Sequence, residues 1–60
     1  MEIDYRPPLS IPETAQRLRA SEQVVRRALL RGELRGFKVG RAWRITAESV
    51  DKLAGEAAKA

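Results

Sequence analysis

Arginine supplies most of the charge that this sequence could use for chemistry. Of twelve basic residues, nine are arginine, whose guanidinium group makes forked hydrogen bonds to phosphate or to guanine. Residues 10–45 hold nine Arg and Lys against three Glu, a net charge of +6, whereas residues 1–9 and 46–60 each carry −1. A basic centre between weakly acidic ends indicates a surface that binds a polyanion.

Groups suited to catalysis or metal binding are few. The chain has no cysteine and no histidine, so disulfides, thiolate nucleophiles, imidazole bases and the usual zinc ligands are all excluded. Ser10, Ser21 and Thr46 stand where helix caps are predicted, without a neighbouring base to activate a hydroxyl. We therefore expect no enzymatic activity, no cofactor and no metal site.

The segment RGFKVGRAWRI, residues 35–45, has features of both a helix and a hairpin. Its four cations stand three residues apart, as on a helix face, but its large apolar residues alternate with others, as in a strand. Gly40 separates two alternating runs and supplies the positive φ that a two-residue Gly40-Arg41 turn requires. We therefore predict a hairpin, with Arg41 at its tip. Its apolar face is predicted to hold Phe37, Val39, Trp43 and Ile45, and the opposite face Lys38 and Arg44.

Two short helices are predicted ahead of the hairpin. Ser10 caps the first, and Glu13 three residues later completes a capping box. This helix ends near Arg19, and Ser21 caps a second helix that can end at Gly32. Two capped helices joined by about three residues form a helix-turn-helix.

The second predicted helix separates apolar from polar residues at about 100° per residue. One side holds Val24, Val25, Ala28 and Leu29, and the opposite side holds Gln23, Arg26, Arg27 and Leu30. In helix-turn-helix proteins the first half of this helix enters the major groove, where Arg reads guanine and Gln reads adenine. Glu22 either accepts a hydrogen bond from cytosine or only serves the helix dipole. Leu30 either covers the groove edge or touches a neighbouring protomer.

Thr46 is predicted to cap a third helix that begins at Ala47. The expected fold is mainly α with a small β-hairpin, a winged helix-turn-helix with an arm at residues 1–8, the domain at 9–57 and a tail at 58–60. Trp43 is assigned to the core rather than to stacking on a base, because one aromatic residue makes no stacking platform. The predicted core is Leu9, Ala15, Leu18, Val25, Leu29, Leu34, Val39, Trp43, Ile45, Val50 and Leu53.

Membrane insertion and export have no support in the sequence. The longest apolar run is too short to cross a bilayer, and the first residues, MEIDYRPP, lack the apolar core of a signal peptide. We therefore expect a cytoplasmic protein that makes no membrane contact.

The residues RGEL at 31–34, followed by KVGRAWRI at 38–45, carry the most specific resemblance in the chain. They resemble the winged helix-turn-helix of the excisionase family, the recombination directionality factors, which belongs with MerR-type DNA-binding domains. The similarity covers roughly residues 9–54 and also includes Leu9-Ser10, Ala15, Leu18, Ser21, Val25 and Arg27. The small size and the Arg/Ala-rich composition are similar to phage excisionases of high-GC hosts such as mycobacteria.

The resemblance implies that the second helix occupies the major groove of double-stranded DNA, while the hairpin is a wing on the backbone or minor groove. By position, the expected DNA-binding residues are Ser21, Glu22, Gln23, Arg26, Arg27, Lys38, Arg41 and Arg44. Excisionases of this kind are not enzymes: they associate cooperatively on tandem sites, bend the DNA and direct an integrase toward excision, here in a bacterial host cell. Arg19 replaces a usual turn glycine, so we expect this turn either to be built differently or to bear strain. Arg17 replaces a common leucine and Arg26 a common aromatic, so the family's base preferences are not carried over to this chain.

Two alternative functions stay open at this stage. A small MerR-like transcription regulator needs the same fold and the same groove contacts, so the sequence does not separate it from an excisionase. A protein-interaction module would instead use its basic face to bind an acidic partner. It would show little salt-dependent DNA affinity, whereas DNA binding predicts a fall in log K with log salt of about −0.9 per phosphate contact.

Overall fold

The computed structural model describes residues 6–59, with the side chains of residues 6–56. Within this part of the chain, three helices and two strands follow in the order α1 Ile11–Leu18, α2 Glu22–Leu30, β1 Gly36–Val39, β2 Ala42–Ile45 and α3 Ala47–Lys59. This order confirms the predicted winged helix-turn-helix. Residues 1–5 of the predicted arm lie outside the described residues, and α3 extends two residues past the predicted domain end at residue 57.

Helix α1 begins as the sequence predicts, with a complete capping box. The hydroxyl of Ser10 accepts a hydrogen bond from the backbone N–H of Glu13 at 3.2 Å, and the Ser10 N–H donates to the Glu13 carboxylate at 2.9 Å. Thr14 is fully buried. Its hydroxyl is satisfied without water, because it donates a hydrogen bond to the Ser10 carbonyl at 2.8 Å. Helix α1 contacts α2, α3 and β2, so it is the support on which the other elements are positioned.

The hairpin turn is also confirmed. Val39 pairs with Ala42, which leaves Gly40 and Arg41 as the two-residue turn. Gly40 has a φ of +61°, in the left-handed region that favours glycine. The tip of the wing therefore has the predicted conformation.

The predicted faces of the hairpin are wrong. Lys38 lies opposite Trp43, and Phe37 lies opposite Arg44, and directly opposed residues of an antiparallel pair share one face. Lys38 is therefore on the Trp43 face, whereas Phe37, 52% exposed, shares the other face with Arg44. The reason is that a two-residue turn pairs residue i with residue i+3, so odd positions on one strand align with even positions on the other.

The core lies where α1, α2, β2 and α3 meet. Its buried apolar residues are Ile11, Ala15, Val25, Ala28, Leu34, Ile45 and Val50, with Leu9, Leu18, Leu29, Trp43 and Leu53 packed partly buried around them. One predicted core residue, Val39, lies outside this cluster, and its side chain is 57% exposed. Val39 adjoins the turn on the face away from the core, so nothing in the described fold covers it.

The segment before α1 is attached to the edge of the hairpin, which the sequence did not predict. The N–H of Leu9 donates to the carbonyl of Ile45 and the N–H of Ile45 donates to the carbonyl of Leu9, both at 2.7 Å. Arg6 and Arg17 both form ion pairs with Asp51 on α3. The first residue of the predicted domain, Leu9, is thus paired with β2, and Arg6 at the end of the predicted arm is paired with α3.

Helix α3 starts at the predicted cap. The Thr46 hydroxyl accepts from the N–H of Ser49 at 3.4 Å. The base of the wing is fixed to this cap, because the Arg35 carbonyl accepts from the Thr46 N–H at 2.9 Å and from the Ser49 hydroxyl at 3.3 Å. In residues 6–59, no helix has the length and apolar character to cross a bilayer.

Candidate nucleic-acid interface

The first turn of α2 is capped by Ser21, as predicted. The Ser21 hydroxyl accepts from the N–H of Val24 at 3.2 Å, and the Ser21 backbone is extended, with φ −79° and ψ 160°. Ser21 and Glu22 are exposed at this end of the helix. An exposed helix N-terminus attracts anions, since its N–H groups point outward along the dipole.

One face of α2 is directed into solvent. Val25 and Ala28 are buried, whereas the opposite side is exposed and holds Gln23, Arg26, Arg27 and Leu30. Leu30 is 87% exposed, and no described residue covers it. Two arginines and a glutamine can together make forked hydrogen bonds to guanine and adenine edges in the major groove.

Val24 departs from the predicted sorting of α2. The sequence placed it on the buried side with Val25, but 48% of its surface is exposed. Helix α2 packs on α1 through the stripe formed by Val25 and Ala28. Val24 lies about 100° around the helix from Val25 and falls at the edge of that contact.

The two adjacent arginines of α2 have different environments. Arg26 forms an ion pair with Glu22 one turn earlier, with 3.6 Å between the guanidinium nitrogen and the carboxylate oxygen. No ion pair among the described side chains involves Arg27. Arg27 therefore presents a full positive charge, and Arg26 a charge partly offset by its neighbour.

The wing does not present its three predicted cations together. Arg41 is exposed at the turn, and Lys38 is exposed on the Trp43 face. Arg44 is half-buried on the opposite face, across from Phe37. The prediction that Lys38 and Arg44 share one face is therefore wrong, because a two-residue turn aligns even positions on one strand with odd positions on the other.

The charge of Arg44 acts on the start of α1. The pKa of the Glu13 carboxyl lies below its ordinary value, chiefly because the Ser10 backbone N–H and the Ser10 hydroxyl donate hydrogen bonds to it. The nearby positive charge of Arg44 lowers the pKa of Glu13 further. Arg44 thus contributes to the electrostatics of the α1 cap, a tertiary relationship that the sequence does not reveal.

The turn between α1 and α2 is built with a strained arginine. Arg19 adopts φ 53° and ψ 45°, the left-handed conformation that side chains disfavour. The Arg19 N–H donates to the Gln16 carbonyl at 3.2 Å, and the Ala20 N–H donates to the Ala15 carbonyl at 2.9 Å. Together these bonds form the Schellman motif that normally ends in glycine. Of the two outcomes expected for this turn, a different construction or strain, the structure has strain.

The arginines that directly follow α1 and α2 were not among the predicted contacts. Arg19 and Arg31 immediately follow α1 and α2 and both are exposed. Their position after the last helical residue was visible in the sequence. Whether such residues project toward the recognition face depends on how the helices pack, which the sequence does not give.

A capped second helix with a basic outer face, held on a first helix beside a two-stranded wing, defines a winged helix-turn-helix. The sequence model of a helix-turn-helix domain family matches residues 8–58, and the chain belongs to that family. This membership indicates DNA binding. Neither a curated protein nor a solved structure matches the chain at a significant level.

Proposed function

We propose that this protein binds double-stranded DNA sequence-specifically through the outer face of α2, and that it acts without catalysing a reaction. The observation that supports this best is the exposure of Gln23, Arg26 and Arg27 on one face, directly after the capped start of the helix. These side chains match the donor and acceptor pattern of guanine and adenine edges. The major groove is wide enough for an α-helix to bring them there.

The wing supplies a second contact in this proposal. Arg41 at the turn binds phosphate or a narrow minor groove, where cations are attracted by the negative potential. Lys38 lies on the adjoining strand and is exposed, so it can reach the same backbone. Contacts of this kind set affinity and register but read no bases directly.

The biological role that we propose for this DNA binding is that of an excisionase. The helix-turn-helix family to which the chain belongs includes excisionase-like DNA-binding domains, and the RGEL and KVGRAWRI segments resemble that group. The protein would associate cooperatively on tandem sites in a bacterial cell, bend the DNA and direct an integrase toward excision. A MerR-like transcription regulator would use the same contacts at a promoter.

A footprint tests these functions together. The purified protein is titrated, at several fixed salt concentrations, onto the DNA that flanks its own gene. We expect several evenly phased protected sites beside an integrase gene or attachment site, with hypersensitive cuts between them where the DNA bends. A single protected site over a promoter would favour the regulator. No protection even at low salt would overturn the DNA-binding function.

Salt dependence gives a second, quantitative criterion. If the four exposed cations Arg26, Arg27, Lys38 and Arg41 all neutralised phosphates, the slope of log K against log salt would be about −3.6. Base contacts by the two α2 arginines would leave a shallower slope, of about −1.8. A slope near zero would contradict an interface built on these residues.

A further inference from the structure

A groove with an apolar floor lies on the flank of α2, between the end of α1 and the second half of α3. Its volume is about 590 Å³. The floor includes Leu18, Val24, Ala28 and Leu53, and the rim carries Arg17, Arg19, Arg27 and Arg31. We call this feature the arginine-rimmed groove.

The floor of the arginine-rimmed groove offers apolar surface that the fold itself leaves uncovered. Val24 is 48% exposed, and Leu18 and Leu53 are only partly buried at the margin of the core. Apolar surface that stays in contact with water costs free energy, and its burial by a partner recovers it. Phosphate binding needs only donors and positive charge, so this floor indicates an occupant with apolar side chains.

The charge of the rim specifies the rest of the occupant. No ion pair in the described part of the chain involves Arg19, Arg27 or Arg31, whereas Arg17 is paired with Asp51 at 2.8 Å. Glu33 is the single acidic residue among the groove's described lining. Three uncompensated guanidinium groups around an apolar floor are complementary to carboxylates that flank apolar side chains.

The strain at Arg19 is a separate observation at the same place. Helices α1 and α2 both end in a Schellman motif. Its left-handed residue is Gly32 at φ 77° after α2, but Arg19 at φ 53° after α1. A glycine at position 19 would meet the backbone requirement without strain. Strained backbone conformations cluster at binding and active sites, and the Arg19 side chain lines the rim of the groove.

We propose that the arginine-rimmed groove is a docking site for an acidic amphipathic segment of another protein. Its apolar side chains fill the floor and its carboxylates pair with the rim, as in helix-in-groove recognition. Val24 and Arg31 lie roughly 100° around α2 from the centre of the face proposed to bind DNA. The partner can therefore bind while that face is on DNA, with Arg27 at the border between the two surfaces.

The test uses the full chain and a synthetic probe. The probe is a fluorescent helical peptide with leucines along one face and glutamates on the others. One control peptide has every leucine replaced by glutamine, and a second has every glutamate replaced by lysine. Anisotropy measures affinity, and amide chemical shifts of the labelled protein locate the binding surface. We expect binding of the acidic amphipathic peptide, absence of binding by both controls, and shifts at Leu18, Val24, Ala28 and Leu53.

Two variants alter the groove while preserving the fold. Arg19→Gly removes a rim charge and relieves the strained turn. Val24→Glu removes a floor side chain and places a glutamate three residues after Ser21, where it completes a capping box for α2. Each variant is expected to lower the affinity for the acidic peptide by about tenfold, as for loss of a moderately strong interface contact. The matched control is Arg41→Ala at the wing tip, which removes a cation from another surface and should leave peptide affinity unchanged.

Several outcomes would overturn the docking site. Equal binding of the glutamine-substituted peptide would mean that the floor is not used, and unchanged affinity in both variants would place the peptide elsewhere. In a separate titration, duplex DNA takes the place of the peptide. If DNA changes the chemical shifts of the groove amides and the acidic peptide does not, the rim is a phosphate-binding surface instead. Failure of the footprint on flanking DNA would remove the proposed function but would not affect this result, since the peptide experiment contains no DNA.

Discussion

Glu22 and Arg26 form an ion pair across the first turn of α2, at 3.6 Å, on the face that also carries Arg27, which pairs with no described carboxylate. Both partners are substantially exposed, so the pair adds little to stability. Its consequence is for binding, because Arg26 must exchange a carboxylate for a base or a phosphate when DNA arrives. Arg27 makes no such exchange.

This difference predicts an order of effects for the two arginines. Arg27→Ala should weaken binding to the specific site by about 1–3 kcal/mol if Arg27 contacts a base, and Arg26→Ala should weaken it less. Anisotropy titrations on the footprinted site and on a scrambled duplex provide the measurement. Lys52→Ala, which removes an exposed cation from α3, is the control for net charge. An equal loss on both duplexes would make Arg27 a phosphate contact.

The wing tip predicts a loss without a change of sequence preference. Arg41→Ala should lower affinity for the specific and the scrambled duplex by the same factor, because a phosphate contact reads no base. The salt slope should become shallower by about 0.9, the value for one phosphate. Titrations at four or more salt concentrations, compared with the unaltered protein, give this slope. Unchanged affinity would remove the wing from the mechanism.

The register of the hairpin predicts opposite behaviour for its two aromatic residues. Trp43 packs partly buried against the core, so Trp43→Ala should lower the free energy of unfolding by about 3 kcal/mol, near the low end for such truncations. Phe37 is 52% exposed on the other face, and Phe37→Ala should cost about 1 kcal/mol or less. Urea unfolding followed by circular dichroism compares the two. A folded Trp43→Ala protein that fails only in DNA binding would make Trp43 a stacking residue.

The features that the sequence predicted correctly are local ones. The capping residues Ser10, Ser21 and Thr46 and the turn at Gly40 act over three or four residues, so their spacing alone specifies them. The exposed face of α2 follows from helical periodicity in the same way.

The errors and omissions arise where distant segments meet. Phe37 and Val39 were assigned to the face of Trp43 and Ile45, and Val39 therefore to the core, because the alternation was followed across the turn without the change of parity that a two-residue turn imposes. The Leu9–Ile45 bridge and the effect of Arg44 on Glu13 join residues more than thirty positions apart. The arginine-rimmed groove is formed by three helices at once, so no single stretch of sequence contains its pattern.

The capping box of α1 predicts a dependence of stability on pH. Hydrogen bonds from Ser10 hold the pKa of Glu13 below its ordinary 4.5, so folding favours the ionised carboxylate. This contribution is fully present above the unfolded value and is lost as the pH falls through the lower pKa of the folded state. Urea midpoints from pH 7 to pH 2.5 should therefore fall less steeply below about pH 4.5 for Glu13→Gln than for the unaltered protein.

Glu56→Gln is the control for the pH experiment. It removes a carboxylate from an exposed position on α3 and leaves the capping box intact. Its stability should fall with pH as steeply as that of the unaltered protein. If Glu13→Gln also follows the unaltered curve, the capping box makes no pH-dependent contribution and the assigned cause of the shift is wrong.

The two helix ends predict substitutions of opposite sign. Arg19 and Gly32 both have positive φ, at 53° and 77°, in the same hydrogen-bonded motif. Arg19→Gly should raise the free energy of unfolding by about 0.5–1 kcal/mol, because the relief of left-handed strain exceeds the added entropy of the unfolded chain. Gly32→Ala should lower it by about 1 kcal/mol, although an added Cβ would meet nothing within 4 Å.

Urea unfolding of the two single variants and of their combination measures these effects. Because the two turns are separate, the combined change should equal the sum of the single changes to within about 0.5 kcal/mol. Destabilisation by Arg19→Gly would contradict strain at this turn and would mean that the arginine side chain stabilises the free protein. A stabilised Arg19→Gly protein that binds the acidic peptide more weakly would instead show that this turn gives up stability to keep an arginine at the rim of the groove.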